Sequence, residues 1–269
     1  MDLLFLYIKK QMKNLLILFF VAFNSYSQNY LDYYFKSKGI EGAIVIYNEN
    51  KEEWIFNDES EPFKNTPLAA HFNLWQALVG LKYDIFDIKE NKTLKWDGVK
   101  RSFFEIRKTE WNKDTNLSEA LKNENFWYFD RLRFKLSKKV YDTEVKQASI
   151  ITEKNDVAVD YFWNFTTMSN PNTMIFVLKD LYENKLPFNK KDQQFLVSQL
   201  MIDSSLIVHE STTTYQGKKI DWTIGISLKN SKPVYFSLRT HYSVEEKPPL
   251  DYQQKRNLIL AEIFDVLEL

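Results

Sequence analysis

Two apolar segments at opposite ends of the chain, each doubled back on itself, do most to limit the folds open to it. Near the start, residues 42–47 form a short apolar run, residues 48–52 supply turn chemistry, and residues 54–56 return. Near the end, residues 222–228 and 233–238 flank the polar stretch 229–232, and this second pattern is the stronger. β-Branched and aromatic runs around polar turns predict β-hairpins. The stretch between reads differently. Leu74, Ala77, Leu78 and Leu81 recur at helical spacing, as do Leu117, Leu121, Phe129 and Leu132. Residues 175–182 keep that period until Pro187, and residues 258–267 close the chain as an amphipathic helix. Strands at both ends with helices between them predict an α+β fold. Its antiparallel sheet is built from N- and C-terminal strands, a helical lobe is inserted between them, and helices cover both faces as in an α/β/α sandwich.

Composition narrows the chemistry. Of 269 residues, 44% are hydrophobic and 16% aromatic, which supports a sizeable core and excludes a disordered chain. Basic and acidic residues balance at 36 each, which argues against nucleic acid as a partner. Cysteine is absent, so disulfides, thiol nucleophiles and thiolate metal sites are excluded. The histidines, His71, His209 and His241, are too scattered to suggest a ligand cluster, so neither metal nor cofactor is expected. The glycines fit neither Gly-x-Gly-x-x-Gly nor the phosphate-binding Gly-x-x-x-x-Gly-Lys loop.

The first 27 residues read as an export leader. Lys9, Lys10 and Lys13 precede the apolar residues 15–23, and Ser25-Tyr26-Ser27 offers small residues for cleavage before Gln28. Met12 is a second candidate start. The apolar run is far short of the roughly 20 residues that span a bilayer. Residues 28–269 show no repeat or low-complexity linker, so they are expected to be one domain. That domain is expected to be periplasmic or secreted, with no membrane span once the leader is removed.

Several segments, in order, resemble one known family. Residues 42–57 followed by 67–81, then 94–98, 111–114, 117–122, 160–163, 181–187, 222–225 and 235–236, are similar to class D β-lactamases and to the sensor domains of β-lactam receptors. The resemblance covers residues 40–269 and implies a serine β-lactamase/transpeptidase-like fold. It also implies acyl transfer through Ser-x-x-Lys at the head of a helix, with the lysine carboxylated as base. In this chain those positions hold Ala70 and Asn73. An alanine has no lone pair to attack with, and a neutral amide is no base.

The other family positions depart too. The Ser-x-Val hydroxyl relay falls on Glu124-Asn125-Phe126, and Tyr-Gly-Asn falls on Ile150-Ile151-Thr152. Lys-Thr-Gly falls on Ser211-Thr212-Thr213, and the arginine for the substrate carboxylate is replaced by Asp251. Trp163, which in the family packs over the carboxylated lysine, and Trp96-Asp97-Gly98 are kept, though core and turn structure explain them as well. No serine elsewhere is followed by lysine three residues on; Thr143-Glu-Val-Lys146 is the nearest imitation, on an expected solvated face.

The expectation is therefore a non-catalytic pseudoenzyme, not an enzyme. Its cleft would be lined by His71, Glu124, Trp163, Thr212 and Asp251. It would bind a peptidoglycan fragment, a β-lactam-like ligand or a periplasmic protein. The alternative is a divergent β-lactam hydrolase or cell-wall peptidase in which His71 and Glu124 activate water. Glu124 itself either pairs with Lys or Arg across the old cleft or points to water, since a buried unpaired carboxylate is costly. The aromatic run 126–129 is expected to be core. A sheet that failed to join the two hairpins would instead mark an unrelated exported α+β binding protein.

Overall fold

The computed structural model describes residues 30–86, 93–102, 108–152, 167–246, 248 and 250–269. The leader at 1–27 and the stretch holding Phe162 and Trp163 lie outside the described residues. The chain enters through α1 (Leu31–Lys38), which buries only Leu31 and Phe35, one turn apart. So short a stripe leaves no readable period. Gly39 ends it at φ 64° and returns its N–H to the Lys36 carbonyl at 3.1 Å, a left-handed cap that costs glycine least.

Next comes the first hairpin, β1 (Glu41–Asn48) and β2 (Glu53–Phe56), in the place the apolar pattern indicates. The Asn48 side-chain oxygen accepts from the Asn50 N–H at 3.0 Å and so builds the turn. A short strand, β3 (Thr66–Pro67), leads through the 3-10 turn Ala69–His71 into α2 (Phe72–Lys82). Every residue from Phe72 to Leu81 is buried, so α2 is an interior helix, not a surface one. The helical lobe follows as α3 (Leu117–Lys122), α4 (Phe126–Phe129), α5 (Arg131–Lys135) and α6 (Lys138–Lys146). After β4 (Met168–Ser169), which pairs with β3, come α7 (Pro171–Tyr182) and α8 (Lys190–Leu200).

The chain then builds most of the sheet: β5 (Met201–Asp203), β6 (Leu206–Tyr215), β7 (Lys218–Ser227) and β8 (Val234–Ser243), closed by α9 (Tyr252–Val266). The order is β2-β1-β8-β7-β6-β5, with every neighbouring pair antiparallel. Thus β1 zips onto β8 from Glu41↔His241 to Asn48↔Val234, and the two hairpins share one sheet.

Strand alternation then divides the core. Val45, Trp222, Ile224, Ile226 and Tyr235 face the lobe and α2, whereas Ile44, Ile46, Phe236 and Leu238 face α1 and α9. Trp127, Tyr128 and Phe129 pack in the lobe as expected, and Trp127 donates its indole N–H to the Trp111 carbonyl at 2.7 Å. The 143–146 segment is a solvated face only in part. Thr143 is exposed, but Glu144 is buried and accepts from Lys82 Nζ and the Tyr83 hydroxyl, each at 2.7 Å. Charge periodicity could not separate that buried anion from its solvated neighbours.

Candidate functional site

The head of α2 meets β6, and there the structure collects most of the predicted positions. Ala69 sits at φ 44°, a left-handed angle that costs a non-glycine residue on the order of 1 kcal/mol. It turns the chain sharply, so that the main chain of residues 68–70 faces β6. The Ala70 N–H donates to Ser211 Oγ at 2.9 Å, and that hydroxyl donates to the Leu68 carbonyl at 3.2 Å. Leu68 N–H in turn reaches the Thr167 carbonyl at 2.9 Å. The hydroxyl nearest the helix head is therefore spent on backbone, and the adjoining turn of helix offers Asn73, whose side chain carries no basic nitrogen.

His71 departs from the expectation that it lines a cleft. It is fully buried, with its Nδ1 2.8 Å from Nδ1 of His209 on β6 and its ring edge-on to Trp222 at 4.9 Å between centroids. Burial, His209 and then Arg256 push its pKa well below the usual histidine value, against a favourable contact with the Trp222 backbone. Burial alone lowers His209 to about 3. Both rings are neutral at pH 7, which lets one Nδ1 donate and the other accept.

Glu124 takes the paired course, not the solvent one. It holds φ 53° in the bend between α3 and α4, and its side chain is 11% exposed. The carboxylate lies 3.2 Å from Lys108 Nζ and is hydrogen-bonded to Thr212. Burial raises its pKa; Lys108 opposes that without cancelling it, and Asp221 adds to the rise. Thr212 Oγ1 also lies 2.9 Å from Asp221 Oδ1, its partner across the β6–β7 ladder, so its single hydroxyl hydrogen is shared between the two carboxylates. A chain Lys108–Glu124–Thr212–Asp221 thus ties the lobe rim to the sheet.

The remaining positions scatter. Thr213 is buried, with no hydrogen-bond partner at Oγ1. Phe126 sets its ring edge-on to Trp111 at 4.8 Å. Ile150 is fully buried, and Thr152 donates its hydroxyl to Asn65 Oδ1 at 2.9 Å. Asp251 is exposed at the head of α9 and pairs with Lys255 at 3.3 Å. Trp163 lies outside the described residues. In Trp96-Asp97-Gly98, Asp97 accepts from the Val99 N–H at 3.0 Å and Gly98 takes φ 80°, a turn.

Three partners escaped the sequence reading: Lys108, His209 and Asp221. The usable signal was the period-two stripe Ile207, His209, Ser211, Thr213, whose members are all buried on one face of β6. Among the described residues, no group of three or more His, Asp or Glu is placed to hold a metal ion. No helix among them is long and apolar enough to cross a membrane.

No family model matches the chain. In sequence it is 26% identical over 208 residues to the regulatory protein BlaR1 of Staphylococcus aureus, covering 75% of this chain and 34% of that protein. The chain thus spans about a third of that relative's length. In structure it matches a class D β-lactamase from Sebaldella termitidis with TM-score 0.74 and 22% identity, over 88% of this chain and 95% of that one. It also matches the C-terminal domain of the Bacillus licheniformis BlaR penicillin-receptor with TM-score 0.72 and 18% identity, over 87% of this chain and 93% of that one. The chain therefore has the fold of the class D β-lactamases and of the BlaR penicillin-receptor domain, and it is a sequence relative of that receptor.

Proposed function

We propose that this protein is an exported, single-domain member of the penicillin-recognising fold that has given up covalent chemistry and acts by non-covalent binding. The observation that carries the reading is the head of α2. Alanine and asparagine stand where acyl transfer needs a nucleophile and a base, and the Ser211 hydroxyl beside them is hydrogen-bonded to main chain on both sides. Without nucleophile and base together no acyl-enzyme forms. The ligand class is a peptidoglycan fragment, a β-lactam-like molecule or a periplasmic protein. The His71–Glu124 hydrolase gains no support, because His71 spends its Nδ1 on His209 and Glu124 pairs with Lys108.

The test is incubation with a fluorescent penicillin followed by intact-mass measurement, run beside turnover of a chromogenic cephalosporin. No adduct and no turnover are expected. A stable adduct on any residue overturns the reading, and so does turnover abolished by His71→Ala.

A further inference from the structure

We propose that the His71–His209 pair is an acid-sensitive latch that holds the turn at residues 68–71 against strand β6. The two imidazoles come from positions 138 residues apart, meet at 2.8 Å between Nδ1 atoms, and leave both buried Nε2 atoms without a hydrogen-bond partner. One ring must accept at Nδ1 for the bond to exist. A first proton on the free Nε2 of the donating ring leaves that bond intact but puts a charge in the interior, and a second, on the accepting Nδ1, sets two N–H donors against each other. No water reaches the new charge, since His71 is fully buried and His209 nearly so.

Only the Trp222 main chain favours a protonated His71, and burial, His209 and Arg256 outweigh it. The Ala69–His71 turn and α2 bring the neutral groups Ala70 and Asn73. From β7 comes the Trp222 ring, with the Arg239 guanidinium of β8 5.3 Å from its centroid. From α9 comes Arg256, whose charge disfavours a second cation, and which is held by Glu210 at 3.0 Å. The carboxylate beside His209 on β6, Glu210, is taken up by Arg256 and Thr223. The same turn bears the Ala70–Ser211 and Ser211–Leu68 bonds, so separating the rings frees the segment that shapes the head of α2.

The consequence is local opening that grows with acidity. In the open state each histidine titrates at its ordinary value of about 6.5. Below that, each open imidazole that gains a proton favours opening by roughly tenfold per pH unit, and two together by roughly a hundredfold.

Hydrogen exchange on the full chain between pH 7 and 4, corrected for intrinsic rates, reads this directly. Amides of residues 68–73 and 209–213 are expected to lose protection tenfold to a hundredfold per unit below pH 6, and at every pH to be less protected than those of β8 and α9, which open only with the whole molecule. The double substitution His71→Gln with His209→Gln keeps two neutral hydrogen-bonding groups and is expected to flatten the profile. The proposal fails if wild-type protection is flat over that range. It fails equally if the turn is as protected as β8, so that it opens only with the whole molecule, or if the double glutamine variant keeps the wild-type profile. Should that variant not fold, the wild-type comparison of the turn with β8 decides alone.

Discussion

Ser211 ties the turn at the head of α2 to strand β6. Its hydroxyl satisfies the Ala70 N–H and the Leu68 carbonyl in a place where water does not reach. Ser211→Ala leaves both groups unpaired, and it is predicted to destabilise the protein by about 1–3 kcal/mol in urea unfolding. Glu124 sits at the opposite balance. Burial raises its carboxyl pKa despite Lys108, so the charged form is disfavoured in the folded state. A raised folded pKa means that the carboxylate begins to penalise folding as pH rises past the ordinary carboxylate value, and the penalty is complete above the raised one. Glu124→Gln is therefore predicted to leave stability at pH 7 unchanged or raised by up to about 1 kcal/mol, with the difference vanishing below the ordinary carboxylate pKa. A large loss at pH 7 would show that the Lys108 pair outweighs the burial.

Between elements, contacts are set by close approach and by one buried ion pair. At Gly225 on β7 an added Cβ would lie 2.4 Å from the Phe236 ring and 2.7 Å from the Ile207 carbonyl. Backbone cannot yield as a flexible side-chain end can, so Gly225→Ala is predicted to cost about 1–3 kcal/mol in thermal unfolding. Arg239 on β8 reaches over to the segment before β3. It donates to the Lys64 carbonyl at 2.8 Å and to the Glu61 carbonyl at 3.1 Å, and it pairs with the Glu61 carboxylate and Thr66. Burial works to raise the Glu61 carboxyl, yet Arg239 and Lys64 together hold it below the usual range. With the folded pKa depressed, this pair's contribution is present at neutral pH and is lost as pH falls below the ordinary carboxylate value. Glu61→Gln is predicted to cost about 3–5 kcal/mol, because it strands a buried guanidinium.

For the whole molecule, acid acts on both the Arg239–Glu61 tie and the histidine pair, and in the same direction. Both histidines have folded pKa values below the ordinary 6.5, His209 at about 3, so the unfolded chain binds more protons between those limits. Global stability is predicted to be full above pH 6.5 and to fall continuously toward pH 3, as measured by urea midpoints over that range. The double histidine-to-glutamine variant should remove most of the slope between pH 6.5 and 4.5 and leave the carboxylate part below it.

Local sequence settled much of this protein. β1, β2, β7 and β8 read as apolar runs around polar turns, and the residues of α2 and α7 carry the helical period, because each pattern depends only on near neighbours along the backbone. The absence of serine and lysine at positions 70 and 73 was equally legible, since residue identity needs no coordinates. What depended on strand register and packing was not. β6 had no apolar stripe of its own, because its buried face mixes Ile207 with His209, Ser211 and Thr213. The partners of His71 and Glu124 come from distant strands and loops, and only the closing of the sheet decides which polar groups must satisfy one another away from water.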